Sequence, residues 1–183
     1  MERPAWGDAR AKTELGIVSP EFARNSLPEF AEFDPEFDMQ VLPYNPGPLP
    51  TKPSPSAGDS FTIELPGLPP YKDTSRSIRN LSHPRYESFV TLRRAAIATM
   101  DGRAWYQGPV QLDLTIHAPT LHKNRTINDY LGGVMDTLDG SHGPTFTYLP
   151  IVYEDDCQVA MGCTEYVEST EERYTVHIEF LPR

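Results

Sequence analysis

Two short stretches of this chain hold the residues from which chemistry could be built. The first covers residues 125–140, RTINDYLGGVMDTLDG, and the second is Glu154-Asp155-Asp156-Cys157-Gln158-Val159. Asn128, Asp129 and Asp136 supply polar and anionic groups in the first, and three consecutive acids open the second. A set of carboxylates with no Lys beside it in sequence suits a hard divalent cation such as Mg²⁺, which takes oxygen ligands and keeps several waters. The plain alternative is that Asn and Asp at a helix start act as caps and that acids at a strand edge are solvated.

These groups need elements to position them. Ile127, Leu131, Val134, Met135 and Leu138 recur at helical spacing, which predicts an amphipathic helix that turns this stripe to a core and stops at Gly140. Asn128, Asp129 and Asp136 fall off the stripe. The acidic triplet directly precedes an apolar run, where a strand should begin. Further upstream, residues 61–65 alternate as a strand does, and a Pro-rich turn follows at 66–70. A second helix is expected with Phe89, Leu92, Ala96 and Ile97 inside and Arg93 and Arg94 outside. Val110, Leu112, Leu114 and Ile116 alternate along a half-buried strand. Residues 159–168 and 173–181 are expected to form a hairpin around 169–172.

In this order the residues resemble the RusA-type Holliday-junction resolvases. Their helix reads Pro/Arg-Asp-Leu-Asp-Asn-Leu-x-Lys-x-x-x-Asp-x-Leu-x-Gly and is followed by an Asp-Asp-x-Gln-Val strand start. Without a gap the register places Arg125, Ile127, Leu131, Val134, Asp136, Leu138, Gly140, Asp155, Asp156, Gln158 and Val159 on that pattern. Residues 61–70 resemble the family's opening strand and Pro turn. The resemblance spans from about residue 60 to the end. It implies an α+β fold with a mixed sheet of about four strands and two main helices, a homodimer acting on branched DNA in recombination and repair, and Mg²⁺ as cofactor. It also implies a phage-like setting.

The departures fall where the chemistry should be. Thr126 and Asn128 occupy the positions of the family's two helix-start aspartates, and Gly132 that of its catalytic lysine. Of the implied ligands Asp156 is kept, with Asp155 and Asp136 as matching neighbours. Asp129 is a candidate substitute, but one residue along a helix is a turn of about 100°, so it points elsewhere unless the helix start is re-wound. The candidate catalytic and metal positions are therefore Asp156, Asp155, Asp129 and Asn128. Thr126, Asn128 and Gly132 together favour a fold that binds DNA or protein without cutting. The alternative is an active Mg²⁺-dependent endonuclease with rearranged carboxylates.

Composition sets the frame. The 183 residues carry a formal net charge of −10, which argues against avid non-specific DNA binding. Charge is also sorted: residues 59–120 hold seven Lys or Arg against six acids, and 121–183 hold four against eleven. Lys72, Arg76, Arg79, Arg93 and Arg94 are the candidate phosphate contacts. Residues 1–58 are of another kind. Phe22, Phe30, Phe33 and Phe37 are interleaved with acids and prolines, and a Pro-rich run, 43–50, follows. This arm cannot bury a core of its own; it is either a linker or, through residues 20–50, an extended device for docking on a protein partner. Residues 51–59 read as plain linker, so the domain is expected over 59–183. The start of the chain shows no secretory or transit pattern, nothing approaches a membrane-spanning run, and two cysteines, Cys157 and Cys163, make no disulfide framework. A reducing, cytoplasmic setting is expected. His117, His122 and His142 lack the spacing of a zinc site.

Overall fold

The computed structural model describes residues 50–80, 82–139 and 150–183. The expectations for the Phe-rich arm, for Gly140 and for His142 lie outside the described residues. Among those described, no helix is long and apolar enough to cross a membrane.

The fold is α+β. Strand β1 (Ser60–Pro66) leads to helix α1 (Tyr86–Met100), strand β2 (Val110–Ala118) and helix α2 (Ile127–Leu138). A single 3-10 turn (Asp156–Gln158) then opens three strands, β3 (Val159–Met161), β4 (Thr164–Glu168) and β5 (Arg173–Phe180). They make one mixed five-stranded sheet in the order β1-β5-β2-β3, with β4 also paired to β2. Strand β5 runs antiparallel to both β1 and β2, while β3 and β4 run parallel to β2.

Alternation decides which face is covered. Val110, Leu112, Leu114, Ile116 and Ala118 of β2 are buried, as are Tyr174, Val176, Ile178 and Phe180 of β5, whereas the residues between them are half-buried. The buried set joins Leu92, Ala96 and Met100 of α1 and Tyr130, Val134 and Leu138 of α2 in one core. The other face of the sheet is polar; there Thr62 Oγ1 and His177 Nδ1 lie 3.0 Å apart.

Three expectations are corrected. The strands after residue 158 form no hairpin: β4 and β5 lie on opposite edges of β2, and the link between them crosses the end of β2, where Ser169 N donates to Ala118 O at 3.0 Å. Buried at every second position, β2 is flanked on both sides, by β5 on one edge and by β3 and β4 on the other. The run 159–168 is also two strands, because at Gly162 the backbone comes so close to β2 that a Cβ would lie 2.4 Å from Leu112 O. That makes five strands where about four were expected. Third, Arg93 is not on the outer face of α1. It is 1% exposed, since Phe89, Arg93, Ala96 and Met100 share one helical stripe.

Residues 51–58 are no plain linker. Thr51 N and Lys52 N both donate to Gly102 O, at 2.8 and 2.9 Å, Ala104 N donates to Lys52 O at 3.0 Å, and Gly58 N donates to Phe180 O at 2.7 Å. Pro55 is buried. A chain starting at residue 59 is therefore expected to be less stable than one starting at residue 50 by about 2–4 kcal/mol, from the loss of these four hydrogen bonds and of a buried Pro ring. Urea unfolding of the two truncated chains measures this, and equal midpoints would show that the segment contributes nothing.

Candidate metal centre

Helix α2 is placed by close contact at its middle and by capping at its start. Gly133 faces the turn before it so tightly that a Cβ would lie 2.5 Å from Pro70 O and 2.6 Å from Tyr71 Cα. Tyr71 is buried there, edge-on to Tyr130 with ring centroids 5.7 Å apart, and the Arg125 guanidinium lies 4.3 Å over its ring. Arg125 also pairs with Asp73. This contact rotates the buried face of α2 to Tyr130, Gly133, Val134, Thr137 and Leu138, and leaves Ile127, Leu131 and Met135 only partly buried at its margin.

The helix start uses its polar residues on itself. Thr126 is the N-cap, with Asp129 N donating to Thr126 Oγ1 at 3.3 Å and Thr126 N donating to Asp129 Oδ2 at 2.7 Å. This reciprocal capping box satisfies two orphan N–H groups of the first turn. Asn128 is exposed beside it. At 1.5 Å of rise per residue, Asn128 sits about 12 Å along the axis from Asp136, too far to share an ion with it.

The other end of α2 is where acids converge. Asp136, Asp139 and Asp156 each offer a carboxylate oxygen, and these oxygens lie within 4.8 Å of one another. Asp136 and Asp139 stand three residues apart on one helix face. Asp156 arrives from the 3-10 turn, which is bolted down by Gln158. Gln158 Oε1 accepts from Glu154 N at 2.7 Å and Asp155 N at 3.1 Å, and its Nε2 donates to Tyr106 O at 3.0 Å and Gly108 O at 2.7 Å. Asp155 turns away to cap that turn, accepting from Cys157 N at 2.8 Å. The chain before the turn is stitched to the helix end, with Ile151 N and Val152 N donating to Leu138 O at 3.3 and 3.1 Å. Arg79 Nη2 donates to Asp136 O at 2.8 Å.

The electrostatics of this cluster are adverse. Asp139 is 5% exposed, and no basic residue lies in the last turn of α2. Acids at the negative end of a helix dipole destabilise it by roughly 0.3–1 kcal/mol each. Burial, then the charge of Asp136, pushes the Asp156 carboxyl above the usual carboxylate value, while Lys72 and a hydrogen bond to Asp139 partly offset this. Like charges held this close make ionisation of the set costly, and a cation between them would relieve that cost. Asp156 Oδ1 is buried with no hydrogen-bond partner. Beneath the cluster, Tyr153 is fully buried, and burial together with the charges of Asp156, Asp139 and Asp136 holds its hydroxyl well above the ordinary tyrosine value. It therefore stays a donor.

Of the residues expected to form the site, Asp156 is in it; Asp129, Asn128 and Asp155 are not brought to it. Asp139 was not singled out, although the Asp-x-x-Asp spacing of 136 and 139 on a predicted helix is a usable signal. Among the expected phosphate contacts, Lys72, Arg76 and Arg94 are exposed, although Arg76 Nη1 donates to Ser82 O at 2.6 Å. Arg93 is buried and cannot reach a phosphate. Arg79 is partly buried and engaged with the carbonyl of Asp136. His117 sits on the polar sheet face opposite Arg173, and His122 lies against the Tyr71 ring; neither joins the cluster. Cys157, in the 3-10 turn, and Cys163, between β3 and β4, are free and exposed.

An all-oxygen set with a buried carboxylate and an unpartnered buried oxygen fits a hard divalent cation. Around Mg²⁺, ligand oxygens about 2.1 Å from the ion lie roughly 3–4.2 Å apart, a spacing comparable with the 4.8 Å within which these three oxygens lie. No family model matches this chain, and no curated protein matches it.

Proposed function

We propose that this chain is a divalent-cation-dependent DNA endonuclease of the branched-DNA-cutting kind that its sequence resembles. Its cation would be held by Asp136, Asp139 and Asp156 rather than at the start of α2. The observation that carries this reading is the convergence of those three carboxylates at a helix end where, without a cation, they oppose one another. A divalent ion bound there would polarise a phosphodiester oxygen and lower the pKa of a coordinated water. Asp139, nearly fully buried, would bring its carboxylate to the ion beside Asp156, and Gln158 holds the turn that presents Asp156. The Tyr153 hydroxyl keeps its proton, and Met135 O accepts it at 3.4 Å, steadying the last turn of α2. Exposed Lys72, Arg76 and Arg94 offer positive charge to the DNA backbone. The homodimer implied by the resemblance would present two such sites to a junction.

The test is cleavage of a synthetic four-way junction by the full chain, with Mg²⁺ or Mn²⁺ and with EDTA as control. Cleavage abolished by EDTA is the expected result. Junction binding without cleavage would favour a second reading, a DNA-binding module without nuclease activity. What supports that reading is the start of α2, where Thr126 and Asp129 cap each other and Asn128 carries no charge.

A further inference from the structure

The acidic cluster has a cation of its own built in. Lys72 leaves the turn after residues 66–70 with its backbone N donating to Asp129 O at 2.7 Å. Its stem then runs along α2 over Gly132, where an added Cβ would lie 3.3 Å from Lys72 Cδ and 3.5 Å from Lys72 Cβ. Its ammonium donates to Asp136 Oδ1 at 3.2 Å. Residues 129, 132 and 136 share one helix face, so the side chain is laid along α2 by a hydrogen bond at one end and an ion pair at the other. The absence of a side chain at Gly132 is what opens the track.

We propose that Lys72 is a tethered competitor for the divalent cation: its ammonium and the ion draw on the same Asp136 carboxylate, and entry of the ion displaces the ammonium toward solvent. This rests on the reading of Asp136, Asp139 and Asp156 as a metal site. The Lys72 side chain is 59% exposed and that of Asp136 18%, so solvent screens the pair and it is readily given up. An ion held by three carboxylates outweighs one exposed ammonium held by one. Until the ion arrives, the ammonium offsets part of the repulsion within the cluster. Once released it stays within a side chain's length of the ion, on the exposed side from which a phosphate would approach.

The experiment is a calorimetric titration of the full chain with Mn²⁺, repeated on Lys72→Met, which keeps the stem and removes the charge. Lys123→Met makes the same change in net charge at the opposite end of α2. Lys72→Met is expected to bind Mn²⁺ about threefold to tenfold more tightly than the unmodified chain, the range that a screened ion pair of up to about 1.4 kcal/mol would give. Lys123→Met should stay within about twofold. Equal tightening by both variants would make the effect one of net charge and overturn the proposal. Unchanged or weaker binding by Lys72→Met would also overturn it, while leaving the metal site itself in place. Absence of Mn²⁺ binding by all three chains would overturn the site and the competitor together.

Discussion

Replacing Asp139 with Asn is expected to abolish divalent-cation binding and to lower metal-dependent cleavage by about two to three orders of magnitude, the usual effect of removing one charged group from a preorganised site. Asn keeps the volume of this nearly fully buried side chain but offers a neutral oxygen where the cluster needs an anionic one. Asp156→Asn should have the same effect on binding, with an instructive difference in stability. A carboxyl whose folded pKa lies above its unfolded value stabilises the fold while it is protonated. That contribution is present below the ordinary value of 3.8 and is lost as pH rises through the folded value. At neutral pH without divalent ions the ionised Asp156 therefore opposes folding, and Asp156→Asn should melt a few degrees above the unmodified chain in EDTA. Adding Mn²⁺ at a hundredfold excess over its dissociation constant should raise the melting point of the unmodified chain, by roughly 2.7 kcal/mol of linkage, and leave that of the variant where it was. A variant that melts lower in EDTA would mean that the three carboxylates form a stabilising network rather than a site awaiting a cation.

How far the site could be read from sequence depended on how local its determinants are. Strands β1 and β2 and the existence of helix α2 were legible because their apolar residues are periodic along the chain. The buried face of α2, however, is rotated from the expected stripe: Val134 and Leu138 are buried, while Ile127, Leu131 and Met135 are only partly so. The pairing of β4 and β5 on opposite edges of β2 was not legible, because the choice between a hairpin and a crossing link is made by a third strand about fifty residues earlier. Arg93 was misplaced for a related reason. Its charge argued for solvent, while the spacing of Phe89, Ala96 and Met100 around it argued for the core, and the spacing won. Within the site, Asp156 and the two segments that build it were evident. Which end of α2 meets Asp156 was not, because that is set by the stitching of residues 151 and 152 to Leu138 and by the two-sided grip of Gln158. The sequence did contain a warning at the other end, since Thr-x-x-Asp at 126–129 has the spacing of a capping box, and a carboxylate engaged in capping is not free to bind an ion.

The adjacent glycines of α2 supply the second large expected effect, and it should have opposite signs at the two positions. Neither residue has a positive φ, so neither is required for backbone conformation. Space is the issue. At Gly132 an added methyl meets only the flexible stem of Lys72, at 3.3 Å, and Ala is the better helix former by about 1 kcal/mol. Gly132→Ala should therefore be neutral or stabilising by up to that amount. At Gly133 the methyl meets backbone, at 2.5 Å from Pro70 O and 2.6 Å from both Pro70 C and Tyr71 Cα, and none of these atoms can step aside alone. Relieving the clash means moving the Pro turn off α2, which loosens the buried Tyr71 and the Lys72–Asp129 backbone bond. Gly133→Ala should cost about 3 kcal/mol, at the upper end for overpacking, despite the gain in helix propensity. For a domain of this size that is a fall of roughly 10 °C in melting temperature. Thermal unfolding followed by circular dichroism on both variants measures the pair. Equal shifts at the two positions would show that α2 does not rest on the Pro turn as described, and the track that carries Lys72 to Asp136 would go with it.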